Sequence, residues 1–238
     1  MPVLLFDTRN KYSARISQKN HITAIDNQLI VWYNQIKVKN RRQNVKERKL
    51  FPGTTIATDT VNRKTAEEVF SHIFAGGNIS SSQVTAIIGI EAHSVQNWVA
   101  RGFVSHPLNK QYSKRQLCRL IIISMLSNTF KIGDITYMLS TVNGDLSDEG
   151  DDLIADDVLY ACFCEMCAQN GGECESERIN KTAFSVTEQL NGLGDGDRKK
   201  VSAVLKTMFY AYRSAEMNRI AHTMLNELKE DSNNTKDN

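Results

Sequence analysis

The chain has 238 residues, 41% of them hydrophobic, and a formal net charge of +2, enough apolar material for the core of one or two domains. No run of about 18 or more apolar residues appears, which excludes a helical bilayer span, and the opening MPVLLFDTRNKY lacks the basic start and apolar length of a signal peptide. Five cysteines, an odd number without a secretory signal, read as reduced thiols in a cytoplasm.

Charge is unevenly spread. Residues 1–50 carry 11 Lys/Arg against 3 Asp/Glu, whereas residues 116–177 carry 2 against 12. Such a chain can turn a basic face to phosphates and an acidic face elsewhere, or simply carry two solvated faces of opposite sign.

In chain order, Ile22, Ile25, Leu29, Trp32 and Ile36 recur at helical spacing, although the β-branched and aromatic run Leu29 to Tyr33 also suits a strand. A basic run from Lys37 to Lys49 follows, and Phe51-Pro52-Gly53 breaks the chain. Residues 65–75 read as an amphipathic helix opened by a capping box of Thr65 and Glu68, with Val69, Phe70, Ile73 and Phe74 on one face and Gly76-Gly77 at its end. Ser80 and Gln83 form a second capping box, starting a helix to Ile88. Gly89 supplies the left-handed turn into a helix from Ala92 to Arg101, with Val95, Trp98 and Val99 facing inward and Gly102 as its stop. Phe103 to Gln111 suits a small β-wing.

Ser113 and Gln116 cap the next helix, which is apolar on nearly every side from Leu117 to Leu126 and is therefore expected at the centre of the fold. Ile132 to Leu139 is a shorter helix. The acidic residues 143–152 read as a linker, Leu153 to Ala168 and Glu177 to Leu190 as helices, and residues 191–197 (NGLGDGD) as a flexible loop. A long helix is expected from Arg198 to Leu228, followed by a frayed or disordered polar tail. Val201, Val204, Leu205, Met208 and Tyr212 share one side of it, while Met217, Ile220, Met224 and Leu228 gather on another. Either that helix breaks near Ser214, or its halves pack on different things.

The short helix from Ala92 is the candidate reading element. A major groove admits one α-helix, and Gln or Asn suits bidentate contact with adenine while Arg suits guanine or phosphate. Its polar residues are His93, Ser94, Gln96, Asn97 and Arg101, with Ser82 on the preceding helix. Lys110, Gln111, Tyr112, Lys114 and Arg115, at the wing and the next helix start, are placed for phosphates. A surface helix of a protein-interaction module would show the same polar face.

The order of these elements resembles the N-terminal domain of the MerR family of transcriptional regulators. Gly89-Ile90, Ser94-Val95, Gly102-Phe103, Tyr112-Ser113 and the later FKIGDITYML stand at that family's marker positions. The resemblance implies a winged-helix DNA-binding domain used as a homodimer. Gln96, Asn97 and Trp98 replace that family's Arg followed by aromatic residues, and Lys110 and Gln111 replace its wing arginines. A closer resemblance is to domain of unknown function 1836. Its pattern is carried by Asn97-Trp98-Val99, Pro107, Lys110 to Ser113, and Tyr160 to Cys164, over roughly residues 69–167.

Other constellations carry less. In the cysteine cluster Cys162, Cys164, Cys167 and Cys174, only one pair has the CxxC spacing that structural zinc sites repeat, and the surrounding acids oppose a reactive thiolate. Asp145, Ser147, Glu149, Gly150 and Asp156 imitate a calcium loop but lack its closing Glu. Gly192, Gly194 and Gly196 follow no expected strand, so they do not read as a phosphate loop. No catalytic or metal-binding set emerges and no cofactor is implied.

The expectation is thus a mainly α protein: a MerR-like winged helix-turn-helix with a small β-wing and a helical C-terminal region. Its parts are a basic segment (1–60), the winged helix (61–142), a dimerisation or effector region (153–230) and a disordered tail (231–238). The expected role is a cytoplasmic, non-enzymatic, sequence-specific regulator that binds double-stranded DNA as a homodimer, with an unidentified effector as a further candidate partner. The alternatives are an adaptor without DNA binding and a thiol- or metal-responsive switch.

Overall fold

The computed structural model describes residues 49–146 and 148–234. The expected helix over residues 22–36 and most of the basic run from Lys37 lie outside the described residues. Residues 49 onward form one compact unit. Among the described residues it is mainly helical: eight α-helices and two antiparallel pairs of two-residue strands.

β1 (Lys49–Leu50) pairs with β2 (Ala57–Thr58) around a turn whose first residue, Phe51, is fully buried. α1 spans Arg63–Ile73. Its N-cap is Asn62, whose side-chain oxygen accepts from the Thr65 amide at 2.8 Å. The capping box expected of Thr65 and Glu68 is therefore replaced by a start three residues earlier. Thr65 is the residue being capped. Ala66 and Phe70 are buried, with Val69, Ile73 and Phe74 packed beside them.

β3 (Ile79–Ser80) leads into α2 (Ser81–Ile88), and the Ser80–Gln83 capping box forms in both directions as expected. The chain turns at Gly89, at φ 78°. A Cβ there would meet Thr55 Cγ2 at 3.0 Å, so the left-handed backbone and the close neighbour both require glycine. Thr55 in turn closes the end of α2: its amide donates to Ile87 O at 2.8 Å and its hydroxyl to Ala86 O at 2.7 Å. α3 (Ala92–Ala100) follows, burying Val95 and Val99 with Trp98 partly buried against the core.

The segment expected as a wing is compact. Gln111–Tyr112 (β4) pairs with β3, and an isolated bridge joins Leu108 to Gln111 around Asn109 and Lys110, both at positive φ. Two left-handed central residues make this a type I′ hairpin turn, here without the usual glycine.

α4 (Lys114–Leu126) carries the second two-way capping box, Ser113 with Gln116. It is the central helix, with Leu120, Ile121, Ile122, Ile123 and Leu126 fully buried. α5 (Ile132–Asn143) runs four residues beyond the expected end at Leu139. The expected linker after it contains a 3-10 turn, Glu149–Asp151, and is fastened where Leu153 N donates to Val142 O at 2.9 Å.

α6 (Asp156–Asn170) and α7 (Ser176–Glu188) pack on the core, with Tyr160 donating to Pro52 O at 2.7 Å. α8 (Asp195–Asn234) is one unbroken helix of 40 residues, about 60 Å long at 1.5 Å per residue. It takes Asp195 to Asp197 from the expected loop and continues through Asn234, past the point expected to fray; residues 235–238 lie outside the described residues. Val201, Leu205, Met208 and Phe209 are fully buried, whereas Met217, Ile220, Leu225 and Leu228 are exposed. The change of apolar face near Ser214 thus occurs without a break. One cluster of buried side chains runs from Phe51 to Ala211, so the segments 61–142 and 153–230 share a core.

Replacing Asn62 by Ala should cost about 1 kcal/mol in denaturant unfolding, the usual value of a side-chain N-cap. Thr65→Ala should cost only a few tenths, and the reverse order would contradict the helix start at Asn62.

Candidate functional site

α2, the Gly89-Ile90-Glu91 link and α3 form a pair of short helices braced from both ends. The burial of Val84, Ile88, Val95 and Val99 fixes how each helix rotates, which decides what points outward. On α3 the outward residues are His93, Gln96 and Asn97, all exposed, with Ser94 half-buried. Ser82, on α2, is exposed, its hydroxyl 2.9 Å from that of Ser80. Arg101 caps the C-terminus of α3, and its guanidinium lies 4.7 Å from the centre of the Phe103 ring. Lys110 and Gln111 are exposed at the hairpin turn.

The turn is held by Gln116. Its side-chain oxygen accepts from Ser113 N at 2.8 Å, while Nε2 donates to Ser105 O at 2.9 Å and His106 O at 3.1 Å. One side chain both caps α4 and clamps the loop that follows α3.

Three expected contact residues are placed differently from an open surface. Tyr112 is buried at 4% exposure; burial raises its phenol while a Ser81 hydrogen bond pulls the other way. It packs the strand to the core instead of facing a phosphate. Lys114 Nζ sits 3.0 Å from Asp157 Oδ2. Arg115 bonds Asp152 and lies 3.9 Å from Asp156 Oδ2. Both cations are therefore already paired with carboxylates of the chain.

Beneath this layer is a pair that sequence reasoning missed. Arg119 and Asp156 are both buried, and Arg119 Nη1 donates to both Asp156 oxygens at 3.2 Å. Arg119 Nε donates to Phe103 O at 3.0 Å, just beyond α3. Burial lifts the Asp156 carboxyl above the usual carboxylate range, opposed by the Arg119 and Arg115 guanidiniums. The signal available in the sequence was Arg119 itself, a lone cation inside the run LCRLIIISML. A charge there must meet an acid elsewhere in the chain.

The cysteines do not gather into a metal-binding set: among the described residues, no group of three His, Cys, Asp or Glu side chains could hold a metal ion. Cys118, Cys162 and Cys164 are buried, Cys167 is half-buried and Cys174 exposed. Burial pushes the Cys162 thiol up to about 11 and that of Cys164 up to about 12. The calcium-loop imitation is also taken apart, since Asp156 at its last place is the buried partner of Arg119.

These features define a mainly helical protein in which two short braced helices present a polar face beside a clamped hairpin turn. Residues 74–163 match the sequence model of a family described as Domain of unknown function (DUF1836), inside the span of the expected resemblance. The matched stretch runs from the end of α1 into α6 and includes Arg119 and Asp156. No curated protein and no solved structure matches the chain. Among the described residues, no helix is long and apolar enough to cross a membrane.

Arg119→Ala should destabilise the protein by about 3 kcal/mol, because it leaves the buried Asp156 carboxylate with only the more distant Arg115, at 3.9 Å, and the Phe103 carbonyl without its donor; urea unfolding measures this, and a cost under about 1 kcal/mol would contradict it. With a thiol-reactive dye at pH 8, Cys174 should label rapidly in the native protein and Cys162 and Cys164 only on unfolding, as peptide mass mapping would read.

Proposed function

We propose that this protein is a sequence-specific regulator that binds double-stranded DNA, with the matched stretch acting as a MerR-like winged helix-turn-helix and the whole working as a homodimer. The observation that carries the reading is the face of α3. Val95 and Val99 are buried while His93, Gln96 and Asn97 stand exposed on the same helix. Gln and Asn can each make paired hydrogen bonds to adenine in the major groove, which an α-helix fits. Arg101 and Lys110 flank that face and supply backbone contacts. The net +8 of residues 1–50 offers further phosphate affinity, whatever its structure.

The C-terminal region supports the dimer. The second half of α8 exposes Met217 at 48% and Leu228 at 64%, apolar area for which a second copy is the natural cover in a homodimeric regulator. The adaptor alternative draws its support from the ion-paired state of Lys114 and Arg115, which lowers the cationic character beside α3. The thiol-switch alternative is weakened by the raised Cys162 and Cys164 thiols.

Selection of bound fragments from the organism's own genome, followed by titration at several salt concentrations, tests the reading. Specific binding should weaken steeply with salt as counterions are released. Gln96→Ala with Asn97→Ala should reduce discrimination among sequences by about 1–3 kcal/mol per lost base contact while leaving non-specific binding in place. Absence of any binding at low salt would sink the DNA reading and leave the adaptor.

A further inference from the structure

We propose that Asp152 and Asp157 act as an internal phosphate mimic that keeps Lys114 and Arg115 in reserve, so that a nucleic-acid backbone and this acidic turn compete for the same two cations. The inference rests on the DNA reading above and adds a built-in brake to it.

The geometry distinguishes two kinds of ion pair in one cluster. Arg119 and Asp156, with side chains only 5% and 3% exposed, form the deep pair that joins α4 to α6. Lys114 and Asp157 form the outer pair, at 33% and 21% exposure and 3.0 Å, open to solvent and to exchange. Arg115 lies between, bonded to Asp152. Carboxylate and phosphate present the same anionic oxygens to a guanidinium or an ammonium. At Lys114 the exchange can take place at the surface, whereas Asp152 is only 6% exposed, so Arg115 must turn outward to meet a phosphate.

Position supports the exchange. Lys114 and Arg115 are the first two residues of α4, separated from β4 only by the Ser113 cap. They therefore follow directly on the hairpin turn that carries Lys110. Cations in the first turn of a helix are repelled by its dipole, so they need an anion there, from within the chain or from a ligand. The internal anion is also imperfectly held. Among the described residues, Asp152 Oδ1 is buried without a hydrogen-bond partner. Releasing it to water recovers the solvation that burial removed, while the Arg119–Asp156 pair keeps α4 and α6 together.

The test uses the full chain and a mixed-sequence DNA duplex of about 30 base pairs, read by fluorescence anisotropy across a salt series. Asp152→Asn with Asp157→Asn should bind roughly an order of magnitude tighter than wild type near 0.1 M salt, with a salt slope steeper by about one to two, since each phosphate contact contributes about 0.9. Adding Lys114→Gln and Arg115→Gln should cancel the gain. A matched neutralisation at the exposed Asp134 and Glu175, made as Asp134→Asn with Glu175→Gln, should give little of it. Should the double variant fail to fold, Asp157→Asn alone carries the comparison with a slope change of about one. Equal affinity and slope in wild type and variant, or an equal gain in the matched control, would overturn the brake while leaving the DNA reading intact. Binding by none of these proteins at the lowest salt would overturn both.

Discussion

The fold turns on a guanidinium placed where no charge is comfortable. Arg119 occupies the middle of α4, between residues that are fully or nearly fully buried. Desolvating an ion costs several kcal/mol, and the cost is offset only by a well-placed counter-ion and further hydrogen bonds. Asp156 provides the first through both oxygens, and the Phe103 carbonyl provides the second. Three parts of the chain are thereby set against one another: the central helix, the start of α6, and the backbone leaving α3. The polar face of α3 is consequently referenced to the C-terminal helices through a side chain that touches neither that face nor solvent.

What was legible in the sequence follows the range of the interactions. Both Ser-x-x-Gln boxes form as read, because a capping box is complete within four residues and needs no tertiary partner. Gly89 was legible for the same reason. The Thr65–Glu68 reading failed because Asn62 is the stronger cap and lies one turn earlier, leaving Thr65 inside the helix. Tyr112 was read as a phosphate contact from its place between the wing and the next helix start, yet strand alternation turns it inward beside an exposed Gln111. Lys114 and Arg115 were read as phosphate contacts at a helix start, and the structure places both half-buried in ion pairs. Their partners Asp157 and Asp152 are some 40 residues away in sequence, and no local pattern connects them.

The charge asymmetry has a physical resolution in part. Asp152, Asp156 and Asp157 gather at the start of α6, where the helix dipole favours anions. They face Lys114, Arg115 and Arg119 on α4, where the first-turn cations need exactly such company. Part of the acidity of residues 116–177 is thus spent against the chain's own cations, in place of forming a separate solvated face. The same arrangement explains why the start of α4, which opens on two cations, is not strongly basic in the folded protein.

The long C-terminal helix poses a different question of cost. An isolated helix of some 20 residues is marginal in water, because its nucleus is expensive. The second half of α8 escapes that penalty: its first half is nucleated by the burial of Val201, Leu205, Met208 and Phe209, and propagation then adds one bond per residue. Continuity past Ser214 therefore requires no partner. The side chains are another matter. Met217, Ile220, Leu225 and Leu228 have left the face that the core covers, and helix propagation does nothing to remove them from water. A polar stripe would propagate equally well, so the apolar character of this half answers to something beyond helix formation, and it is there that the proposed homodimer has the most apolar area to gain by closing.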